Sequence, residues 1–255
     1  MKKIFLSIIL CIATMMALAQ ESYQDEATEK YGYKQNDEII IKPIYDEAEM
    51  FSEEFAAVKK DGKWGFIDKT GKIIIPFKYD HAFKFGESRA LVYDRKNNKY
   101  GFIDRNGKEI IPLKFENAES FFEGLSNVKI NDKWGFIDKT GKEVIPLKYE
   151  SALRFRDGLA EVKLDKKTGM IDKTGKIIVP IKYDEIRFFY EGLAGVKKDN
   201  KWGFINNKGE EIIQIMYDYA EDFKKGSAKV KANGASYFIN TSGKKLIPDF
   251  KEMRK

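Results

Sequence analysis

An all-β fold of tandem repeats is what this sequence predicts, and three observations predict it. A pattern of about 34 residues recurs six times from Tyr45 onward, and self-similarity at such a period marks a repeat architecture. Inside each unit, short apolar runs with period-two alternation are separated by turn residues, which reads as strands joined by hairpins. A unit this small cannot bury its own aromatic residues, so neighbouring units must stack.

The repeat is defined by its fixed positions. Tyr45, Tyr79, Phe115, Tyr149, Tyr183 and Tyr217 open the units, each followed by an acid: Asp46, Asp80, Glu116, Glu150, Asp184 and Asp218. Val58, Val92, Val128, Val162, Val196 and Val230 hold one position, and Ile67, Ile103, Ile137, Ile171, Ile205 and Ile239 another. Repeats one to six therefore cover 45–78, 79–114, 115–148, 149–182, 183–216 and 217–250.

Three strands are expected per unit. In repeat one, the first runs over Phe55-Ala56-Ala57-Val58-Lys59 and ends at Asp61-Gly62, a dipeptide suited to the positive φ values of a tight hairpin. Asn131-Asp132, Asp199-Asn200 and Asn233-Gly234 fill the same slot, and repeat two carries two extra residues there, at Arg95 to Asn98. The second run is Lys63-Trp64-Gly65-Phe66-Ile67-Asp68, with Trp64 and Phe66 on one side and Gly65 and Ile67 on the other. A glycine inside a strand marks a bulge or a close backbone approach. Asp68-Lys69-Thr70-Gly71 turns the chain again, and the third run, Lys72 to Pro76, stops at its proline. Tyr45, Ala48 and Phe51 are spaced by three, so this stretch is expected to be a helical turn or irregular connector.

Residues 31–44 read as a partial capping repeat holding the second and third runs without the first, preceded by a linker over 20–30 and balanced by a tail over 251–255. A propeller that splits one blade between its termini leaves no surplus partial unit. The expectation is therefore an open superhelical or solenoid array, with a β-propeller as the alternative.

Residues 1–19 differ from the rest. Lys2 and Lys3 form a basic start, Ile4 to Met16 is uncharged, and Ala17-Leu18-Ala19 supplies the small residues that a signal peptidase reads. Cleavage after Ala19 is expected, with an exported chain in the periplasm, at the cell surface or secreted; the rival reading is a lipoprotein signal ending at Cys11. No later segment is long and apolar enough to span a bilayer as a helix.

Composition removes further classes. Charged residues make up 34% of the chain, but 46 basic against 40 acidic residues leave a formal net charge of +6, so charge alone does not point to nucleic acid. A single Cys excludes a disulfide framework and a Cys-ligated zinc site, and a single His excludes multi-His metal sites. Cleavage would remove Lys2, Lys3 and Cys11, giving 44 − 40 = +4 and no cysteine.

The recurring K-W-G-F-I-D, followed by K-T-G-K and an apolar pair with proline, resembles the WG-repeat, or KWG-repeat, family. Lys63-Trp64-Gly65-Phe66, Lys133-Trp134-Gly135-Phe136 and Lys201-Trp202-Gly203-Phe204 carry the signature, while Tyr100, Thr168 and Ser236 replace the tryptophan elsewhere. The resemblance implies a β-rich, non-catalytic module that mediates binding on exported or multidomain bacterial proteins, without a defined ligand, cofactor or catalytic residue.

The residues offer few chemical centres. The series Asp68, Asp104, Asp138, Asp172, Asn206 and Asn240 reads as turn caps in preference to a calcium ladder, because two members are uncharged. His81 aligns with Glu47, Asn117, Ser151, Glu185 and Tyr219, a varied slot expected to face solvent. Lys78, Lys114, Lys148 and Lys182 each precede an acid by two residues and are expected to alternate charge along stacked units. Trp64, Tyr100, Trp134 and Trp202 are stacking residues for a sugar ring if exposed, and core residues if buried. The functional expectation is an exported, non-enzymatic scaffold with a protein partner at the cell envelope and no cofactor. The alternative is a carbohydrate or peptidoglycan binder using the three tryptophans.

Overall fold

The computed structural model describes residues 20–246. The expected signal peptide, the Ile247-Pro248 end of repeat six and the tail lie outside them. Among the described residues there is no helix, and neighbouring strands, such as Glu21–Gln24 with Tyr31–Gln35 and Phe55–Lys60 with Lys63–Asp68, pair antiparallel. The first sheet has order β1 (Glu21–Gln24), β2 (Tyr31–Gln35), β3 (Glu38–Tyr45). The second has order β4 (Glu47–Ala48), β5 (Phe55–Lys60), β6 (Lys63–Asp68), β7 (Ile73–Tyr79). Five more four-stranded sheets follow, beginning at His81, Asn117, Ser151, Glu185 and Tyr219. Each is an open ribbon in chain order. The described residues fall into two compact units: one comprises 20–131 and Ile137–Lys142, and the other Asp132–Phe136 and 143–246.

The local chemistry accounts for each hairpin. Asp61 and Gly62 take φ of 51° and 77°, and Lys60 faces Lys63 across a two-residue turn. The second turn closes on Asp68: its Oδ1 accepts from the Thr70 hydroxyl at 2.6 Å and from the Thr70 and Lys72 amides. Asn206 and Asn240 accept the same amide bonds with a neutral oxygen. The series therefore caps turns.

Gly65 is required by the third strand. Trp64 pairs with Tyr79 while Phe66 pairs with Ile75, so β7 bulges over the single residue between them. A Cβ on Gly65 would sit 2.6 Å from the Ile75 carbonyl oxygen. The same bulge lets β7 run through Pro76 to Tyr79, where the sequence pattern had it stop. As an edge strand, β7 can hold a residue that has no amide to donate.

Three other expectations are corrected. Residues 20–30 supply β1, with Tyr23 opposite Gly32 as Val58 is opposite Gly65, so the partial repeat has its first strand after all. Two polar ends and one tyrosine in β1 gave too short an alternation to read as a strand. The connector after Tyr45 is not helical: Glu47 and Ala48 pair with Lys59 and Val58, giving each repeat a fourth strand. Its two-residue length hides it from any periodicity. The inter-repeat charge pairs use other lysines: Lys63 reaches Asp80 and Lys167 reaches Asp184, at 2.6 and 2.5 Å, and Lys201 bonds Asp218. Lys78, Lys114, Lys148 and Lys182 instead lie 5.0–5.3 Å from the aromatic ring next in sequence.

Both faces of the central strands are buried. Ala56, Val58 and Ile67 pack with Tyr33, Ile41 and Tyr45 of the preceding sheet. Ala57, Trp64 and Phe66 pack with Ala82, Phe85 and Val92 of the following one. Each buried Phe or Val of this kind contributes about 1.5–3 kcal/mol, so stacking of neighbours supplies most of each repeat's stability.

Two outcomes follow. Gly65→Ala should lower unfolding stability by about 2–3 kcal/mol through overpacking, against about 1 kcal/mol for Gly62→Ala, where only the positive φ is strained; urea denaturation of both variants checks the order. Asp68, Asp138 and Asp172 are held below the ordinary carboxylate range, first by the hydroxyls of Thr70, Thr140 and Thr174 and then by turn amides. Their stabilisation is present above the unfolded pKa and is lost as pH falls through the depressed folded values. Replacing all three by Asn should leave neutral-pH stability nearly unchanged and flatten the loss of stability below about pH 4, read from melting curves against pH.

Candidate ligand-binding cavity

One contact recurs at the junctions between neighbouring repeats. The middle-strand aromatic of one repeat meets a phenylalanine in the loop after the short strand of its successor. The ring centroids are 4.7 Å apart for Tyr33–Phe51, 4.9 Å for Phe66–Phe85, and 4.8 Å for Phe102–Phe121, Phe136–Phe155 and Phe204–Phe223. The contact is missing between repeats four and five, where Met170 stands in the middle strand opposite Phe189. A cavity of about 340 Å³ opens there, with Met170, Phe188, Phe189 and Tyr190 in its wall. That volume lies in the range of small-ligand pockets.

Repeat four departs from the pattern at further positions facing the same space. Glu53 and Glu87 accept backbone amides from the next repeat, at Ser88 and Gly124, and pair with Arg105 and Lys139. The corresponding residues here are Asp157, one methylene shorter, and Asn207, which carries no charge. Both line the cavity, and no bond or ion pair joins Asp157 to a cation among the described residues. Glu161 occupies a position that is Ala57, Leu91, Asn127, Gly195 and Lys229 in the other repeats. Burial pushes its carboxyl above the ordinary range and the charge of Glu185 adds to this, while Lys163 opposes it.

The rim is apolar. Leu153, Phe188 and Tyr190 are 42%, 51% and 44% exposed. The Arg156 guanidinium lies 4.6 Å from the centre of the Phe188 ring. A second hollow of about 270 Å³ shares Leu153, Glu161, Phe188 and Tyr190, and reaches Arg187 and Asp222. Arg187 is fixed in place: its Nη1 donates to the Ala220 carbonyl at 2.6 Å, and its guanidinium lies 3.9 Å from the Trp202 ring centre.

The stacking residues considered from sequence are placed elsewhere. Trp64 and Trp202 are only 3% and 5% exposed, while Tyr100 and Trp134 are half-buried. His81 stacks on Trp64 at 5.0 Å and on Phe83 at 4.5 Å, so it is sandwiched and does not stand in solvent as its varied equivalents suggested. The cavity residues Asp157, Glu161, Met170, Phe188, Phe189 and Tyr190 were missed. The signal that finds them is the loop phenylalanine column, Phe51, Phe85, Phe121, Phe155, Phe189 and Phe223, read against the middle-strand column in which Met170 is the only non-aromatic member.

No curated protein matches the chain. Among solved structures, Hsv2 of Kluyveromyces lactis is similar at 9% identity and a TM-score of 0.41, covering 79% of this chain and 74% of that one. AztD of Citrobacter koseri is similar at 11% identity and a TM-score of 0.42, covering 90% and 85%. Likeness at this level identifies neither ligand nor partner. The family model of the WG containing repeat matches six segments, 33–64, 64–100, 100–134, 134–167, 169–202 and 202–234, each phased near the tryptophan position. Those matches cover most of the chain, which belongs to the WG-repeat family.

Proposed function

We propose that this chain is an exported, non-enzymatic repeat scaffold that binds a protein partner at the cell envelope. The observation that carries the reading is the cavity between repeats four and five, rimmed by exposed Phe188, Tyr190 and Leu153. Exposed aromatic anchors around a hollow are the features through which interfaces gain most of their affinity. Export rests on the Lys2-Lys3 start, the uncharged stretch after it and Ala17-Leu18-Ala19. The glycan reading finds little support in the tryptophans, since His81 and Arg187 cover ring faces that a sugar would need.

The test places a photo-crosslinking phenylalanine analogue at Tyr190 in living cells. The expected result is a protein adduct in the envelope fraction, on a chain beginning at Gln20, with none from the same analogue at Lys108. Adducts containing only polysaccharide, or a chain confined to the cytoplasm, would overturn the proposal. Met170→Phe should restore the missing ring pair, raise stability by about 1 kcal/mol, and abolish the adduct by filling the cavity; thermal melting and the same crosslinking assay read the two effects.

A further inference from the structure

Two carboxylates, Asp157 and Glu161, line the cavity between repeats four and five, and neither forms an ion pair among the described residues. Asp157 stands where Glu53 and Glu87 hold the next repeat, and its counterpart in the following repeat is Asn207 in place of Arg105 or Lys139. Glu161 is a half-buried acid at a position that is Ala57, Leu91, Asn127, Gly195 and Lys229 in the other repeats, so it is the one acid in that column, and no ion pair compensates it. Lys163, on the strand of Glu161, opposes the rise of that carboxyl without pairing with it, and the arginines nearby, two of them in the cavity wall, have other contacts. Arg156 lies over Phe188, Arg187 is held by Ala220, Asp222 and Trp202, and Arg154 also has a partner of its own. Phe188, Phe189 and Tyr190 complete the wall, and aromatic faces attract a cation as well as an alkyl stem.

Resting on the protein-binding reading above, we infer that this cavity receives a lysine or arginine side chain of an extended partner segment, its alkyl stem against Met170 and Phe189 and its charged head between Asp157 and Glu161. Charge complementarity selects this occupant. An apolar side chain would leave both carboxylates partly desolvated and unpaired, and an acidic one would add a third negative charge beside them. Burial that raises the Glu161 carboxyl is the condition under which an incoming cation gains most.

The test measures binding of short acetylated, amidated alanine peptides with one central residue, using the methyl resonance of Met170 in the full chain. A central lysine or arginine should shift that resonance saturably. Norleucine, which keeps the stem and removes the charge, should bind about tenfold more weakly or not at all, the equivalent of one lost charged contact. Glu161→Gln and Asp157→Asn, each checked for an unchanged melting curve, should each weaken the lysine peptide by a similar factor. Equal binding of norleucine, preference for a central glutamate, no saturable shift with lysine, or indifference to both substitutions would overturn the inference. The two readings fail separately. A Tyr190 protein adduct that persists in Glu161→Gln refutes the cationic occupant and leaves the scaffold standing. Lysine binding with no protein adduct in cells refutes the scaffold and leaves the cavity chemistry standing.

Discussion

The ring contact between a middle-strand aromatic and the loop phenylalanine of the next repeat is the interaction on which the other features depend. It sets how far one sheet stands from its neighbour, because two rings with centroids 4.8 Å apart fill the gap between central strands. Once that spacing is set, Ala57 and Ala82 can be small, and Phe66 can be wholly buried. Gly71, Gly107 and Gly141 answer the same constraint: a Cβ on them would lie 3.1–3.3 Å from an isoleucine of the preceding repeat. The repeat is thus less a chain of independent hairpins than a series of shared layers, each half-owned by two units.

Polar groups are arranged around those layers at the surface. Where the acid after the opening aromatic is Asp, it works in two directions: Asp80 accepts from the Arg95 amide of its own hairpin and pairs with Lys63 of the preceding repeat. Asp184 does the same with the Asp199 amide and Lys167. Such exposed pairs are individually worth about 0–1 kcal/mol, so their role is alignment more than strength.

Much of this was legible in the sequence because it recurs. The hairpin at Asp61-Gly62, the turn caps and the bulge glycines could be derived by superposing six copies of one unit. The short strand Glu47–Ala48 could not, because two residues define no period, and its identity comes only from the Val58 and Lys59 backbone it meets. Strand Glu21–Gln24 was hidden for a different reason: it lacks the Ala-Val pattern of its equivalents and is recognised only by Tyr23 facing Gly32. The cavity lay in the residues that break the pattern. Thr168 breaks the tryptophan column openly, whereas Met170 and Glu161, two and seven positions away, look like ordinary substitutions in a single repeat. Their meaning depends on which residues of the next repeat they face.

A site of this kind is made by leaving contacts out, and the arithmetic shows why a repeat protein tolerates it. The missing ring pair forgoes about 0.5–1.5 kcal/mol beyond simple burial, and the missing carboxylate strap about 0–1 kcal/mol more. In a stacked array the stability is close to a sum over neighbouring interfaces, so this loss stays at one junction. On its other side, repeat four keeps the Phe136–Phe155 pair, and repeat five keeps Phe204–Phe223 with repeat six. The weakened layer is therefore flanked by intact ones that hold its strands in register. Glu161 is the member that omission alone does not explain. A smaller neutral residue would leave the same hollow without the cost of partly burying a charge. The carboxylate is a choice of chemistry within a space that Met170 has already opened.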